Sequence, residues 1–311
     1  MLADSEDRTI VSSLGWIDGG AIWILETETG RTRLVDLGGA KYLSLHRGSA
    51  NHFSAVHHYD ADRLVITAHH FDRPDEILSR CVVSQGSREV DGPESPWEHV
   101  PRHYVAYLEQ PAWSEFALVK IEPTGNVSLQ TFDWYDDSYD KGYQGIVGVT
   151  EIPGSHLLLV SVQRSSKPIV YDPESQCKVG EVVLSDGHGN PRLFFRRNRS
   201  ELWADDYDTI VKLEPESWRI LKTRKLQKAQ SGTAQFIGEF GFNRDESICA
   251  IARPFSGDIV GLDPRSLRVR YRAKLGGQPI EVSLLNDRQV FARDWKTGDL
   301  LHGSLRRAWA A

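Results

Sequence analysis

The chain has 311 residues and a formal net charge of −6, from 37 Lys and Arg against 43 Asp and Glu. That balance argues against a general nucleic-acid binder, which needs a basic footprint on phosphate. A charged fraction of 26% beside a hydrophobic fraction of 40% excludes a disordered chain, and the length can hold two domains or one large all-β domain.

Met1 to Arg8 is acidic and lacks the basic start and apolar core of a secretory signal. No run of ~18 apolar residues occurs, so no membrane partner and a cytoplasmic location are expected. The first extended stretch, Thr9 to Ser13, precedes a turn, Glu26-Thr27-Glu28-Thr29-Gly30. Residues 36–62 and 86–104 parse poorly, although six of the eleven histidines fall between His46 and His70. If the turn there centres near Asp60-Ala61, His52 lies opposite His69. Two such imidazoles could share a metal with His188, but a hydrogen-bonded pair is the simpler reading, and no metal or cofactor is expected.

From residue 116 onward a repeat emerges. Glu122-Pro123-Thr124-Gly125, Asp172-Pro173-Glu174-Ser175, Glu214-Pro215-Glu216-Ser217 and Asp263-Pro264-Arg265-Ser266 share an acid-Pro pattern at intervals of 50, 42 and 49 residues. Proline presets φ and the acid accepts backbone N–H groups, so each is a hairpin turn between two strands. Two further strands precede most of these hairpins, as in Phe236–Phe240 with Ile248–Ile251. The unit is four antiparallel strands, a to d, in ~45 residues, which is the period of a β-propeller blade. Counting the ends of strand b (Trp16, His69, Glu109, Gln163, Asp205, Arg253 and Arg293) gives seven blades, with six, or eight including an irregular one, left open by residues 36–62 and 86–104. The fold expected is therefore all-β: a single β-propeller domain over 1–311, of seven four-stranded blades. The last unit lacks a strand d after Leu305, and the N-terminal strand is expected to supply it and close the ring. Cys81, Cys177 and Cys249 lie far apart and read as buried free thiols.

The strand–turn units Lys167-Pro168-Ile169-Val170-Tyr171-Asp172-Pro173 and Gly257-Asp258-Ile259-Val260-Gly261-Leu262-Asp263-Pro264 resemble those of bacterial seven-bladed propellers of the YVTN/WD40-like type. The resemblance implies a binding platform in most cases and an enzyme in a minority.

In such an arrangement strand a begins beside the end of strand b. Strand a repeatedly starts at an amide (Asn51, Gln144, Asn190, Gln235, Gln278), and strand b ends in polar pairs such as His69-His70, Asp205-Asp206 and Arg293-Asp294. A polar, aromatic mouth is expected from His69, Gln144, Arg164, Asp206, Gln235 and Arg253. Gln278, Asp294, Trp295 and His188 join it, as do Trp134 and Tyr139 from the loop Asp133–Tyr143, which carries four aromatics and four aspartates. The function expected is recognition of a protein or glycan at this mouth. The alternative is a propeller lyase or hydrolase on a sugar or lactone, with His69, His188, Asp206, Arg164 and Arg253 as the reactive groups. Phosphate loops, Gly-x-Ser-x-Gly elbows and His-Glu-x-x-His are absent. The basic stretch Arg196-Arg197-Asn198-Arg199 reads as a solvated turn, and Lys222 to Lys228 as the exposed end of a strand d.

Overall fold

Successive side chains on a strand point to opposite faces, so a strand that is apolar throughout needs a neighbour on each side. Leu202-Trp203-Ala204 and Cys249-Ala250-Ile251-Ala252 are strands of this kind. The computed structural model describes residues 2–3, 6, 8–14, 20–60, 63–84, 87–93, 103–107, 116–122, 127–132, 146–162, 165–185, 187, 189–196, 200–226, 236–243, 245–284 and 288–308. The chain divides into two compact units, Met1–Gly145 and Ile146–Ala311.

In the first unit one sheet runs in chain order through β1 (Leu2–Ala3), β2 (Thr9–Leu14), β3 (Gly20–Glu26), β4 (Arg31–Arg47), β5 (His52–Asp60), β6 (Arg63–His70), β7 (Ser79–Ser84) and β8 (Ser87–Asp91). A second has β10 (Phe116–Ile121) between β9 (His103–Tyr107) and β11 (Val127–Phe132). The second unit has four sheets. The first is β12 (Ile146–Glu151), β13 (Leu158–Val162), β14 (Ile169–Asp172) and β15 (Cys177–Glu181). The next is β16 (Leu193–Phe195), β17 (Leu202–Asp206), β18 (Thr209–Leu213) and β19 (Ile220–Lys225). The third is β20 (Phe240–Phe242), β21 (Cys249–Arg253), β22 (Asp258–Leu262) and β23 (Val269–Lys274). The last is β24 (Pro279–Leu284), β25 (Gln289–Asp294) and β26 (Leu300–Ser304), and β27 (Arg306–Arg307) then crosses to pair with β23.

Among the described residues six sheets stand where the spacing predicts seven blades. The difference lies in residues 31–47, which form one strand of 17 residues. Its first part pairs with β3 and its second with β5, so two expected blades become one eight-stranded sheet. At Gly38 the chain adopts φ +64 and its N–H donates to Asp36 Oδ1 at 2.8 Å. The Gly-Gly step thus makes a local irregularity in the strand where a reversal would have separated two blades. The expected closing strand is also placed differently. Thr9–Leu14 pairs along its length with β3 and, at Ile10 and Val11, with β1. The sheet of β24 to β26 has three strands among the described residues.

Alternation fixes how the second unit packs. On β17, Leu202 and Ala204 join Leu159, Val170 and Leu184 of the preceding sheet, whereas Trp203 joins Phe240, Ile251 and Leu262 of the following one. On β21, Cys249 and Ile251 face back, and Ala250 and Ala252 face forward to Val282, Val290 and Ala292. Strands β13, β17 and β21 are buried at every position, whereas β19 is exposed at every position and β15 at four of five. In the first unit Phe53 and Ala55 pack with Val11 and Ile22, and Val56 turns to Leu64 and Ile66. Cys81 and Cys249 are buried free thiols as expected, but Cys177, at the start of outer strand β15, is exposed.

The acid-Pro segments at 172, 214 and 263 are c–d hairpins, as expected; residues 123–126 of the segment at Glu122 lie outside the described residues. Asp172 Oδ1 accepts the Glu174 N–H at 2.8 Å, and Oδ2 accepts the Ser175 hydroxyl at 2.6 Å. Asp263 Oδ1 accepts both the N–H and the hydroxyl of Ser266. The hydroxyls of Ser175 and Ser217 hold Asp172 and Glu214 below the usual carboxylate range. Four residues past each acid the chain turns left-handed, at Gln176, Trp218 and Leu267, a position filled by glycine in the turns that start at Glu26 and Asp294. A non-glycine residue there costs about 1 kcal/mol. Gln176 is exposed, so Gln176→Gly is expected to raise stability by up to about 1 kcal/mol, read as a higher urea midpoint, and Gly298→Ala to lower it by a similar amount.

Candidate functional site

The leading strands of neighbouring sheets in the second unit meet, β12 against β16 and β20 against β24. Charged residues in these strands are thereby gathered. Arg192 stands just before β16, Glu239 just before β20, and Glu281 within β24. Their partners come from strand b. The Arg192 N–H donates to Asp205 Oδ1, and Arg293 Nη2 donates to Glu281 Oε1 at 2.6 Å across the β24–β25 ladder. Glu239 Oε2 accepts the Val282 N–H at 3.2 Å, tying the third sheet to the fourth.

Low water access governs the charge of this cluster. Burial pushes the Asp205 carboxyl up to about 6; Arg192 opposes the shift and Glu239 adds to it. Burial also raises Glu281, against the pull of Arg293 and with the push of Glu239. Arg293 Nε is buried with no acceptor among the described residues. Two carboxyls held above their ordinary range beside guanidinium groups form an acid–base set with a place for a developing anion.

An aromatic rim stands two residues further along the ladder. Glu281 pairs with Arg293 and Pro279 with Asp294, and Trp295 follows. The step from Glu281 to the strand end is therefore about 7 Å. Phe236 packs edge-on against Phe255 at 5.0 Å and Trp295 at 5.4 Å. Phe255 and Trp295 are 38% and 40% exposed, enough to offer ring faces to a ligand.

The residues expected at the mouth divide into several groups. Gln278 and Asp294 meet as anticipated, the Gln278 N–H donating to Asp294 Oδ2 at 2.8 Å. Asp294 is itself taken up by the turn: Oδ1 accepts the N–H groups of Lys296 and Thr297 at 2.7 and 3.1 Å. Burial alone would raise Asp294, but these backbone donors outweigh it and hold it low. Asp206 accepts the hydroxyls of Ser166 and Ser185, which anchors the preceding sheet's last connection. Arg253 grips Asp258 through two bonds of 2.8 and 2.7 Å, both side chains buried. Asp206, Asp294 and Arg253 therefore brace the loops, and Trp295 is the expected residue that joins the rim.

His69 departs from expectation. The register pairs it with Phe53, and His52 with His70, one residue from the predicted pairing. Its ring is buried, stacks on Phe53 at 4.9 Å and bonds the Pro74 carbonyl and the Thr67 hydroxyl. Burial lowers its pKa to about 4, so it is a neutral core imidazole. His52 and His70 touch edge-on at 4.6 Å. No group of three His, Cys, Asp or Glu suited to a metal occurs among the described residues. Trp134, Tyr139, Gln144, Arg164, His188 and Gln235 lie outside the described residues.

Sequence reasoning missed Arg192, Glu239 and Glu281 as a set. The available signal was a charged residue inside an otherwise apolar leading strand, as in Ile237-Gly238-Glu239-Phe240 and Ile280-Glu281-Val282.

No protein-family model and no curated protein matches the sequence. Solved structures do. The β-propeller domain of Cps50 (Swd1) from Myceliophteria thermophila aligns with a TM-score of 0.69 at 13% identity, covering 97% of this chain and 94% of that one. A periplasmic gluconolactonase from Pseudomonas aeruginosa aligns at 0.63 and 17%, over 97% and 99%. A protein from Lactobacillus plantarum aligns at 0.66 and 16%, over 96% and 95%. The fold is thus an all-β propeller, with six blades in place of the seven expected.

A folded pKa of about 6 for Asp205 against 3.8 in the unfolded chain fixes the sign of a pH effect. Between these values the folded state binds more protons, so stability falls as pH rises from about 4 to 6, by ~3 kcal/mol in all. Asp205→Asn keeps an acceptor for Arg192 and is expected to remove this slope and stabilise the protein at pH 7. Urea unfolding of both proteins at several pH values between 4 and 7 checks it.

Proposed function

We propose that this propeller is a hydrolase acting on a sugar lactone at the leading-strand cluster of its second unit. The observation that carries the reading is the Glu281–Arg293 pair, a half-buried carboxyl held above its ordinary range beside a guanidinium that keeps a spare donor. In the reaction Glu281 takes a proton from water as the water oxygen bonds to the lactone carbonyl carbon. The carbonyl oxygen becomes an anion facing the Arg293 and Arg192 guanidinium groups. Collapse breaks the ring C–O bond, and the proton on Glu281 passes to the leaving alkoxide, giving the open hydroxy acid. A carboxyl with a raised pKa is the stronger base once ionised, which suits this role. Asp205 and Glu239 set the local charge. Likeness of fold to a gluconolactonase supports the choice of substrate class.

A second reading, recognition of a protein or glycan, is favoured by one observation, the exposed Phe236–Phe255–Trp295 rim. The fold of a Swd1 propeller domain is compatible with it. In the first reading the same rim stacks on the sugar face.

Proton release from glucono-δ-lactone and its 6-phosphate, measured against spontaneous hydrolysis, separates the two. Turnover is expected, with kcat lowered about 10²-fold or more in Glu281→Gln and Arg293→Met. No acceleration with either lactone, together with glycan or protein binding that Trp295→Ala abolishes, would replace the hydrolase by the platform.

A further inference from the structure

Away from the leading strands, the outer edges of the last two sheets of the second unit enclose a groove of about 1250 Å³. β23 and β27 form one wall, Gly303 and Ser304 at the end of β26 contribute to the other, and Arg224 and Leu226 border it from β19. On β23, Arg270, Arg272 and Lys274 alternate with Val269, Tyr271 and Ala273, so they share one face about 7 Å apart. Arg268 precedes them, and β27 brings Arg306 and Arg307. The ladder places Arg306 directly opposite Arg272. Like charges in that position repel unless an anion lies between them.

Among the described residues the groove has no acidic lining residue. Asp258 beneath it is committed to Arg253 and Arg272, and Asp263 reaches Arg270 only at 4.0 Å. Among the described residues Arg224, Arg268, Lys274, Arg306 and Arg307 have no carboxylate within ion-pair distance. The chain's net charge of −6 averages over this segregation and conceals it.

Three features narrow the ligand. The volume exceeds the ~300–1,000 Å³ of sites that enclose one small molecule. Arginine forks dominate, and they match phosphate oxygens two at a time. Among the described residues the lining has no aromatic residue and only small or single apolar ones, Leu226, Val269 and two alanines. A peptide partner would need a buried apolar anchor, and readout of duplex base edges would need a projecting helix or β-ribbon. A phosphodiester backbone needs neither. We propose that this groove binds single-stranded nucleic acid through its phosphates, without sequence preference. It is independent of the hydrolase reading, because none of its residues belongs to that cluster.

Fluorescence anisotropy of a labelled oligothymidylate tests it. With five unneutralised cations and a slope near −0.7 per contact, affinity is expected to fall about 100-fold from 50 to 200 mM salt. Arg306→Glu with Arg307→Glu is expected to abolish binding and leave lactone turnover unchanged. Arg306→Gln with Arg307→Gln serves if the reversal impairs folding, and is expected to reduce the salt slope by about 1.4. Absence of binding at 50 mM salt, binding that survives the folded glutamate variant, an unchanged salt slope in the glutamine variant, or tighter binding of polyglutamate than of the oligonucleotide overturns the proposal. The last outcome would assign the groove to an acidic protein.

Discussion

Strand β17 is apolar toward both of its neighbours, and that double burial organises the second unit. Leu202 and Ala204 need one sheet, Trp203 needs another, and neither sheet can be removed without exposing a fully buried strand. β21 repeats the arrangement with Cys249 and Ile251 on one side and Ala250 and Ala252 on the other. Each such strand therefore fixes the spacing of three sheets, and small residues at 250 and 252 let the last two approach closely. Burial falls off toward the outer strands, where β19 is exposed throughout. The same gradient decides where charge is tolerated. Charged side chains occupy the two edges of a sheet, its leading strand and its outer strand, and avoid the middle unless paired.

The pairs that do occur in the middle are closed circuits. Glu201 binds Lys212 at 2.6 Å, Arg196 at 3.2 Å and the Trp203 indole N–H at 3.0 Å. Burial opposes its charge, but these donors outweigh burial and hold it below the usual range. Glu281 differs: burial, with the push of Glu239, prevails over Arg293 and Arg192, so its carboxyl is raised. The balance between burial and the surrounding charges and donors separates a carboxylate that braces the fold from one left with basicity to use. Arg253 and Asp258, with two mutual bonds, fall with the bracing groups.

Much of the architecture was legible because it is written in turns. Asp172 and Asp263 act locally by accepting N–H groups two and three residues on, and Glu214 by accepting the Ser217 hydroxyl, and local chemistry survives in one dimension. The blade count was not legible, because it rests on residues 36–40, where Gly38 bends the chain without reversing it. Pairing at the ends of strands a and b was legible in part. Gln278 beside Asp294 followed from antiparallel pairing alone, whereas His69 failed on a register one residue away. Arg192, Glu239 and Glu281 meet only because three sheets converge, and no spacing along the chain announces that.

The two-residue ladder between β23 and β27 has a mechanical side. It joins the third sheet of the second unit to the segment leaving the fourth, so it behaves as a clasp across their seam. Its Arg272 and Arg306 push apart, and among the described residues only Asp258, on one side, relieves them. Dissolved ions screen such repulsion over about 10 Å at 0.1 M. Fastening at this seam therefore tightens as ionic strength rises, opposite to the behaviour of an ordinary surface ion pair.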